Sequence, residues 1–183
     1  MEKAGLRSRI LEMRDSIPQS DVEGLSAKIC ADVLLLPEIM AASSVAIYIS
    51  LGKEVQAEML FDNLLSMGKK IFLPVVSGGE MKLVRAKSLH GLVAGKFANL
   101  EPNGKIPKKG GDAQVYLIPG VAFDSLGFRI GYGKGFFDRF LAGRKKAFKV
   151  GLAYDLQIVD SFPTEPHDVR MDAVITEKRT LRF

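Results

Sequence analysis

The sequence predicts an α/β fold: a single Rossmann-like domain with a largely parallel central sheet flanked by helices. Three observations carry this expectation. Segments of helical period alternate with short strand-like runs, the pattern of parallel strands joined by crossover helices. The run "SVAIYIS" (44–50) is apolar at consecutive positions and rich in β-branched residues, as a strand buried on both faces requires. The chain has 183 residues, 47% hydrophobic and 26% charged, enough for one sizeable core. No repeat or linker divides it, so the domain is taken to span 1–183.

The elements follow in order. Residues 2–17 are expected to form a helix, because Leu6, Ile10, Met13 and Ile17 recur every three or four residues and Pro18 ends the run. At about 100° per residue, Lys3, Arg7 and Arg14 fall within about 40° of one another, lining one edge of that helix beside its apolar stripe. The capping-box spacing of Ser20 and Glu23 starts a second helix, which runs to Leu36 ahead of Pro37. After the strand 44–50, residues 57–68 read as a helix stopped by Gly68. Strands over 69–76 and 81–86 flank a Gly–Gly turn. From 88 to 111 the pattern weakens: His90 is assigned to a short helix and "GKIPKKGGD" to a surface loop. Strands over 113–120, 148–154 and 172–177, with a short helix "FFDRFLAG", complete the pattern.

Composition narrows the function classes. No apolar run is long enough to span a bilayer as a helix, so no membrane partner is expected. The charged N-terminal segment lacks an apolar signal region, and Glu2 and Glu12 argue against a transit peptide. The single cysteine, Cys30, sits in an apolar-periodic run and reads as a small buried hydrophobe, which favours a reducing, cytoplasmic setting. A formal charge of +5 invites an anionic partner. The small basic knots Lys108–Lys109 and Arg144–Lys146 read as solvated surface, and no nucleic-acid-binding motif accompanies them.

The segment "FRIGYGKGFFDR" (128–139) is the strongest candidate for chemistry. Gly131, Gly133 and Gly135 alternate around Tyr132 and Lys134 at the carboxyl end of a strand, where open α/β sheets bind ligands. It fits neither the Walker loop nor the dinucleotide fingerprint. Glycines let backbone N–H groups approach a phosphate, the following helix offers its N-terminus, and Arg129 and Lys134 add charge. A flexible loop with Phe136 and Phe137 plugging the core explains the same residues, and the two readings are compatible. Asp138 is either a dipole-compensating first-turn residue or a magnesium ligand. A second carboxylate would come from "PTEPHDVRMD" (163–172), which offers Glu165, Asp168 and Asp172 and also reads as a polar surface loop. Glu54 follows the strand 44–50 and could equally face solvent. Neither histidine, His90 or His167, has triad partners, and nothing activates Cys30, so Ser or Cys nucleophilic catalysis is not expected.

The ordered motifs "YISLGKEV", "LEPNG", "PGVAFDSLGFRIGYGKGFFDR", "GLAYDLQIV" and "FPTEPHDVRMDAVITE", with the N-terminal "KAGLR", resemble the 5-formyltetrahydrofolate cyclo-ligase family from about residue 3 to residue 177. The resemblance implies an enzyme that uses MgATP to convert 5-formyltetrahydrofolate, with or without a polyglutamate tail, to 5,10-methenyltetrahydrofolate, acting as a cytoplasmic monomer. It further implies that Lys3 and Arg7 reach the ATP phosphates. Arg129, Ile130, Gly131, Tyr132, Gly133, Lys134, Gly135, Phe136 and Phe137 would form the ATP loop, with Tyr132 to Phe136 also facing the folate. Ile49 and Glu54 would lie on the pterin side, and Asp138 and Asp168 would be the Mg²⁺ carboxylates. Phe136–Phe137 departs from the Tyr–Tyr pair common in the family, so no hydroxyl role is expected there.

Overall fold

A computed structural model of the protein describes residues 2–90, 92–94, 100–102 and 110–183. Three helices open the chain: α1 (Lys3–Asp15), α2 (Gln19–Leu34) and α3 (Pro37–Ala41). Strand β1 (Ser44–Ala46) precedes a 3-10 turn (Ala57–Leu60) that runs into α4 (Phe61–Ser66). Strands β2 (Lys70–Ser77), β3 (Glu80–Ala86), β4 (Leu92–Ala94), β5 (Leu100–Pro102), β6 (Val115–Pro119), β7 (Ala122–Asp124) and β8 (Arg129–Ile130) follow. Helix α5 (Phe136–Ala142) leads to β9 (Phe148–Leu152), β10 (Ile158–Val159), β11 (Ala173–Ile175) and β12 (Thr180–Arg182).

The central sheet has the order β12-β11-β9-β6-β1-β2-β3. Its inner five strands are parallel, and β3 and β12 close the two edges antiparallel. Alternation along β6 shows why apolar runs form its interior. Val115 and Leu117 face one core with Val22, Ile29 and Val33 of α2 and Phe61 and Leu64 of α4. Tyr116 and Ile118 face the opposite core with Phe140 and Leu141 of α5 and Val174 of β11. Each fully buried aliphatic side chain stabilises the fold by about 1.5–3 kcal/mol.

A small second sheet, β10-β7-β8, sits beside the carboxyl end of β6. Gln157 holds its base: Nε2 donates to the carbonyls of Gly120 and Val121 at 2.8 and 2.9 Å. Asp124 shapes the β7–β8 turn, its Oδ1 accepting the N–H groups of Leu126 and Phe128. Leu6 and Ile10 of α1 pack on this sheet through Val121, Ala122 and Ile130. The helix is thereby seated over the strand that leads into the glycine segment.

The α/β architecture agrees with expectation, and several elements differ in detail. Arg14, placed by periodicity on the edge beside the apolar stripe, is only 4% exposed, whereas Met13 of the expected apolar stripe is 39% exposed. The physical reason is polar: Arg14 reaches Tyr132, so the helix is rotated to bury it. Ser20 does not cap α2. The helix starts one residue earlier behind Pro18, and the Ser20 hydroxyl bonds Asp21 instead. The Pro37 region forms α3, because proline is accommodated at the first position of a helix. His90 lies in an exposed turn whose N–H donates to Ser88 Oγ, not in a helix. Most of "GKIPKKGGD", with Lys108 and Lys109, lies outside the described residues.

Gly151, in the middle of β9, touches the buried ring of Phe123 so closely that an added Cβ would stand 2.4 Å from it. Gly151→Ala is expected to destabilise the protein by about 1–3 kcal/mol through overpacking. Equilibrium urea unfolding checks this: the midpoint should fall while the slope is unchanged, and an unchanged midpoint would contradict the packing described.

Candidate active site

A cavity of about 600 Å³ opens at the carboxyl ends of β1, β2 and β6. It lies at the switch point of the sheet, where the chain runs from β1 to β2 on one side and from β6 to β9 on the other. Every site residue that the family resemblance implies lines it: Lys3, Arg7, Ile49, Glu54, the segment Arg129 to Phe137, Asp138 and Asp168. Tyr48, Leu51, Pro74, Val76, Met81 and Pro119 also line it and are not singled out by the sequence. Tyr48, Leu51 and Pro119 lie within the quoted motifs without an assigned role, and no motif marks Pro74, Val76 or Met81.

The glycine segment between β8 and α5 cannot hold a shape by side-chain packing. Gly133 and Gly135 adopt φ of 92° and 62°, conformations that other residues take up only with strain. Helix α1 supplies the missing constraint. Arg7 Nε donates to the Gly131 carbonyl at 2.8 Å, and Arg14 Nη2 donates to the Tyr132 hydroxyl at 3.0 Å. Lys3 Nζ donates to Asp168 Oδ2 at 2.6 Å and lies 3.8 Å from Glu165. From the far side, Arg139 Nη1 donates to the Lys134 carbonyl at 2.9 Å and stacks over Phe136.

Arg129 is buried beneath the segment, with Nη2 3.0 Å from Asp138 Oδ1 and its guanidinium over the Phe137 ring. Burial pushes its pKa down, and the charges of Asp138 and Asp168 work in the opposite direction. The two phenylalanines therefore differ. Phe137 packs on the α5 core while lining the cavity, whereas Phe136 lines the cavity beneath Arg139. Burial also pushes the Asp168 carboxyl up, but the Lys3 hydrogen bond, the Glu165 N–H and the Lys3 charge outweigh it and leave its pKa below the ordinary value.

Glu54 is not a solvent-facing charge: it is 5% exposed. Its Oε2 accepts the Leu51 N–H at 2.9 Å and its Oε1 accepts the Tyr132 hydroxyl at 2.7 Å. Burial pushes its pKa up, opposed by Tyr132, the Leu51 N–H and the Arg14 charge. His167 lines the cavity in an exposed pair with Glu165, and Asp172 instead binds Lys149 away from it. Burial, aided by Glu58, pushes the Cys30 thiol up to about 12, as suits an unreactive core residue.

Cations and backbone from a glycine loop, apolar strand ends and a buried carboxylate meet in one cavity at the switch point of an α/β sheet. That combination suits an anionic group beside apolar surface. Comparison with known proteins sharpens the class. The family model described as "5-formyltetrahydrofolate cyclo-ligase family" matches residues 1–177. The 5-formyltetrahydrofolate cyclo-ligase of Mycolicibacterium smegmatis is 34% identical, the match covering 97% of this chain and 94% of the relative. A probable 5-formyltetrahydrofolate cyclo-ligase of Schizosaccharomyces pombe is 31% identical, with coverages of 98% and 95%. The solved structure of Aquifex aeolicus 5,10-methenyltetrahydrofolate synthetase superposes with a TM-score of 0.84 at 34% identity, covering all of this chain and 93% of that one. The chain belongs to the 5-formyltetrahydrofolate cyclo-ligase family.

The Lys3–Asp168 contact has a pH signature. A carboxyl whose folded pKa is depressed contributes stability above its unfolded value, 3.8 for Asp, and loses that contribution as pH falls through the lower folded value. Lys3→Met is therefore expected to lower the thermal midpoint slightly at neutral pH, with the gap from wild type closing in acid. Thermal unfolding from pH 7 down to pH 3 checks this, and a gap independent of pH would contradict it.

Proposed function

We propose that the protein converts 5-formyltetrahydrofolate to 5,10-methenyltetrahydrofolate using MgATP and releasing ADP and phosphate. The observation that carries this reading is the convergence, in one cavity, of every residue that the family resemblance marks. Ring closure needs N10 to attack the N5-formyl carbon and expel its oxygen, and oxide or hydroxide leaves an amide carbon poorly. Transfer of the γ-phosphoryl group forms a bond from phosphorus to the formyl oxygen and breaks the bond to ADP. In the resulting iminium phosphate, N10 forms the new C–N bond and loses its proton. Phosphate then departs with the electron pair of the C–O bond.

The protein's task is positioning and charge stabilisation. Lys3, Arg7, Arg129 and Lys134 would face the phosphates, with the Gly131–Gly135 backbone close enough to donate N–H groups. Ile130 and Phe137 would fix that loop to the core. Ile49, Tyr132 and Phe136 would pack against the folate, and Glu54 would accept hydrogen bonds from its polar ring.

Magnesium fits the donor set. Asp138 engages Arg129 through Oδ1 and Asp168 engages Lys3 through Oδ2, so each carboxylate has a second oxygen to offer. Both line the cavity, and Mg²⁺ beside a nucleotide takes one or two carboxylates plus phosphate oxygens and water. Asp138 and Asp168 would hold the ion, which would supply charge neutralisation across the phosphates. A monomeric catalyst is part of the same reading. A cytosolic setting and a polyglutamate tail leading out of the cavity complete the reading.

The expected outcome is ATP- and Mg²⁺-dependent appearance of the near-UV absorbance of the methenyl product. Folded protein that forms no product at saturating ATP and Mg²⁺ would refute the reading. Asp138→Asn is expected to lower kcat about 100-fold or more, assayed below the variant's own thermal midpoint because the neutral amide also weakens the buried Arg129 contact. Full activity of that variant at low Mg²⁺ would contradict the metal role.

A further inference from the structure

Arg14 is a buried guanidinium with only partial hydrogen bonding. It is 4% exposed, yet Nε and Nη1 have no hydrogen-bond partner among the described residues. A well-packed apolar side chain would stabilise this position better than a charge so poorly satisfied. Its geometry nevertheless points one way. Nη2 donates to the Tyr132 hydroxyl at 3.0 Å, that hydroxyl donates to Glu54 Oε1 at 2.7 Å, and Arg14 Nη1 stands 4.0 Å from the same oxygen. Arg14 itself does not line the cavity; Tyr132 and Glu54 do.

We propose that Arg14 is a positioning residue: it fixes the Tyr132 hydroxyl between itself and Glu54 and so holds Glu54 as an ionised acceptor for the N–H donors of the folate ring. The inference rests on the proposed function, in which Glu54 meets that ring. A hydroxyl has one proton. Because Tyr132 accepts from a cation that can only donate, that proton is directed at Glu54. The neighbouring backbone is pinned as well: Lys53, next to Glu54 in sequence, donates to the carbonyls of Asp15 and Ile17 at the end of α1 at 2.5 and 2.6 Å. The relay thus ties α1, the glycine loop and the β1 end into one unit.

The groups acting on Glu54 support this. Burial, aided by Glu58, leaves its pKa above the ordinary value, and Tyr132, the Leu51 N–H and Arg14 hold that rise in check. Tyr48 is buried close by and feels the Glu54 charge, and the Tyr154 hydroxyl donates to the Glu54 backbone carbonyl. Arg14 is the cation in this set, so removing it should leave Glu54 easier to protonate.

The test compares wild type, Arg14→Met, Tyr132→Phe and the double variant in the methenyl absorbance assay across pH. Arg14→Met is expected to raise KM for 5-formyltetrahydrofolate about tenfold with KM for ATP changed less than about twofold. The acid-side loss of folate affinity should move to higher pH, because a carboxylate without its cation protonates sooner. Arg14→Lys should fall between wild type and Arg14→Met, and it carries the comparison if Arg14→Met does not fold. In the double variant the two losses should not multiply, since both cut one relay. Equal rises in both KM values, an unmoved acid limb, or multiplying losses would overturn the relay while leaving the proposed function intact. Wild type inactive on 5-formyltetrahydrofolate would refute both.

Discussion

Helix α1 holds the glycine loop, and the rest of the site depends on that grip. A segment with glycine at every second position has many conformations open to it, and no side chain within it can choose one. The choice is made from outside. The apolar stripe of α1 seats on the β7–β8 sheet, and then Arg7 takes the Gly131 carbonyl and Arg14 the Tyr132 hydroxyl. Lys3, one turn before Arg7, reaches across to Asp168 on a loop more than a hundred residues away. One helix therefore aligns three separate parts of the chain.

The same contacts concentrate charge where water is scarce. Arg14, Arg129 and Glu54 are all nearly inaccessible, and burying such ions costs on the order of several kcal/mol each before pairing. Pairing recovers part of this. Arg129 lies against Asp138 and the Phe137 ring, and Glu54 receives two hydrogen bonds. The orphaned N–H groups of Arg14 and Arg129 show that pairing within the protein is incomplete. The large two-sided core of the sheet, with α2 and α4 on one face and α5 on the other, offsets that cost.

Much of this is legible in the amino-acid sequence, for identifiable reasons. Strands buried on both faces leave uninterrupted apolar runs, so "SVAIYIS" and "AQVYLIPG" mark the sheet. The glycine loop, the α1 cations and the two aspartates carry unusual residues in an ordered series, and that order groups them although they are far apart along the chain. What escapes is set by distant partners. Periodicity puts Arg14 beside the apolar stripe and not in it, because nothing local reveals a tyrosine 118 residues away. Glu54 reads equally well as a surface charge, since its burial is made by the loop that covers it. The two-residue strands β8 and β10 are too short to leave a pattern, and the lining residues Pro74 and Val76 are indistinguishable from the rest of their strand.

If the cavity brings a γ-phosphoryl group to the formyl oxygen, that oxygen must leave as part of phosphate. The most direct measurement is a single turnover of 5-formyltetrahydrofolate labelled with ¹⁸O in the formyl group, in unlabelled water, with mass analysis of the released inorganic phosphate. The account predicts one ¹⁸O atom in each phosphate formed. Unlabelled phosphate, with the isotope lost to water, would contradict it.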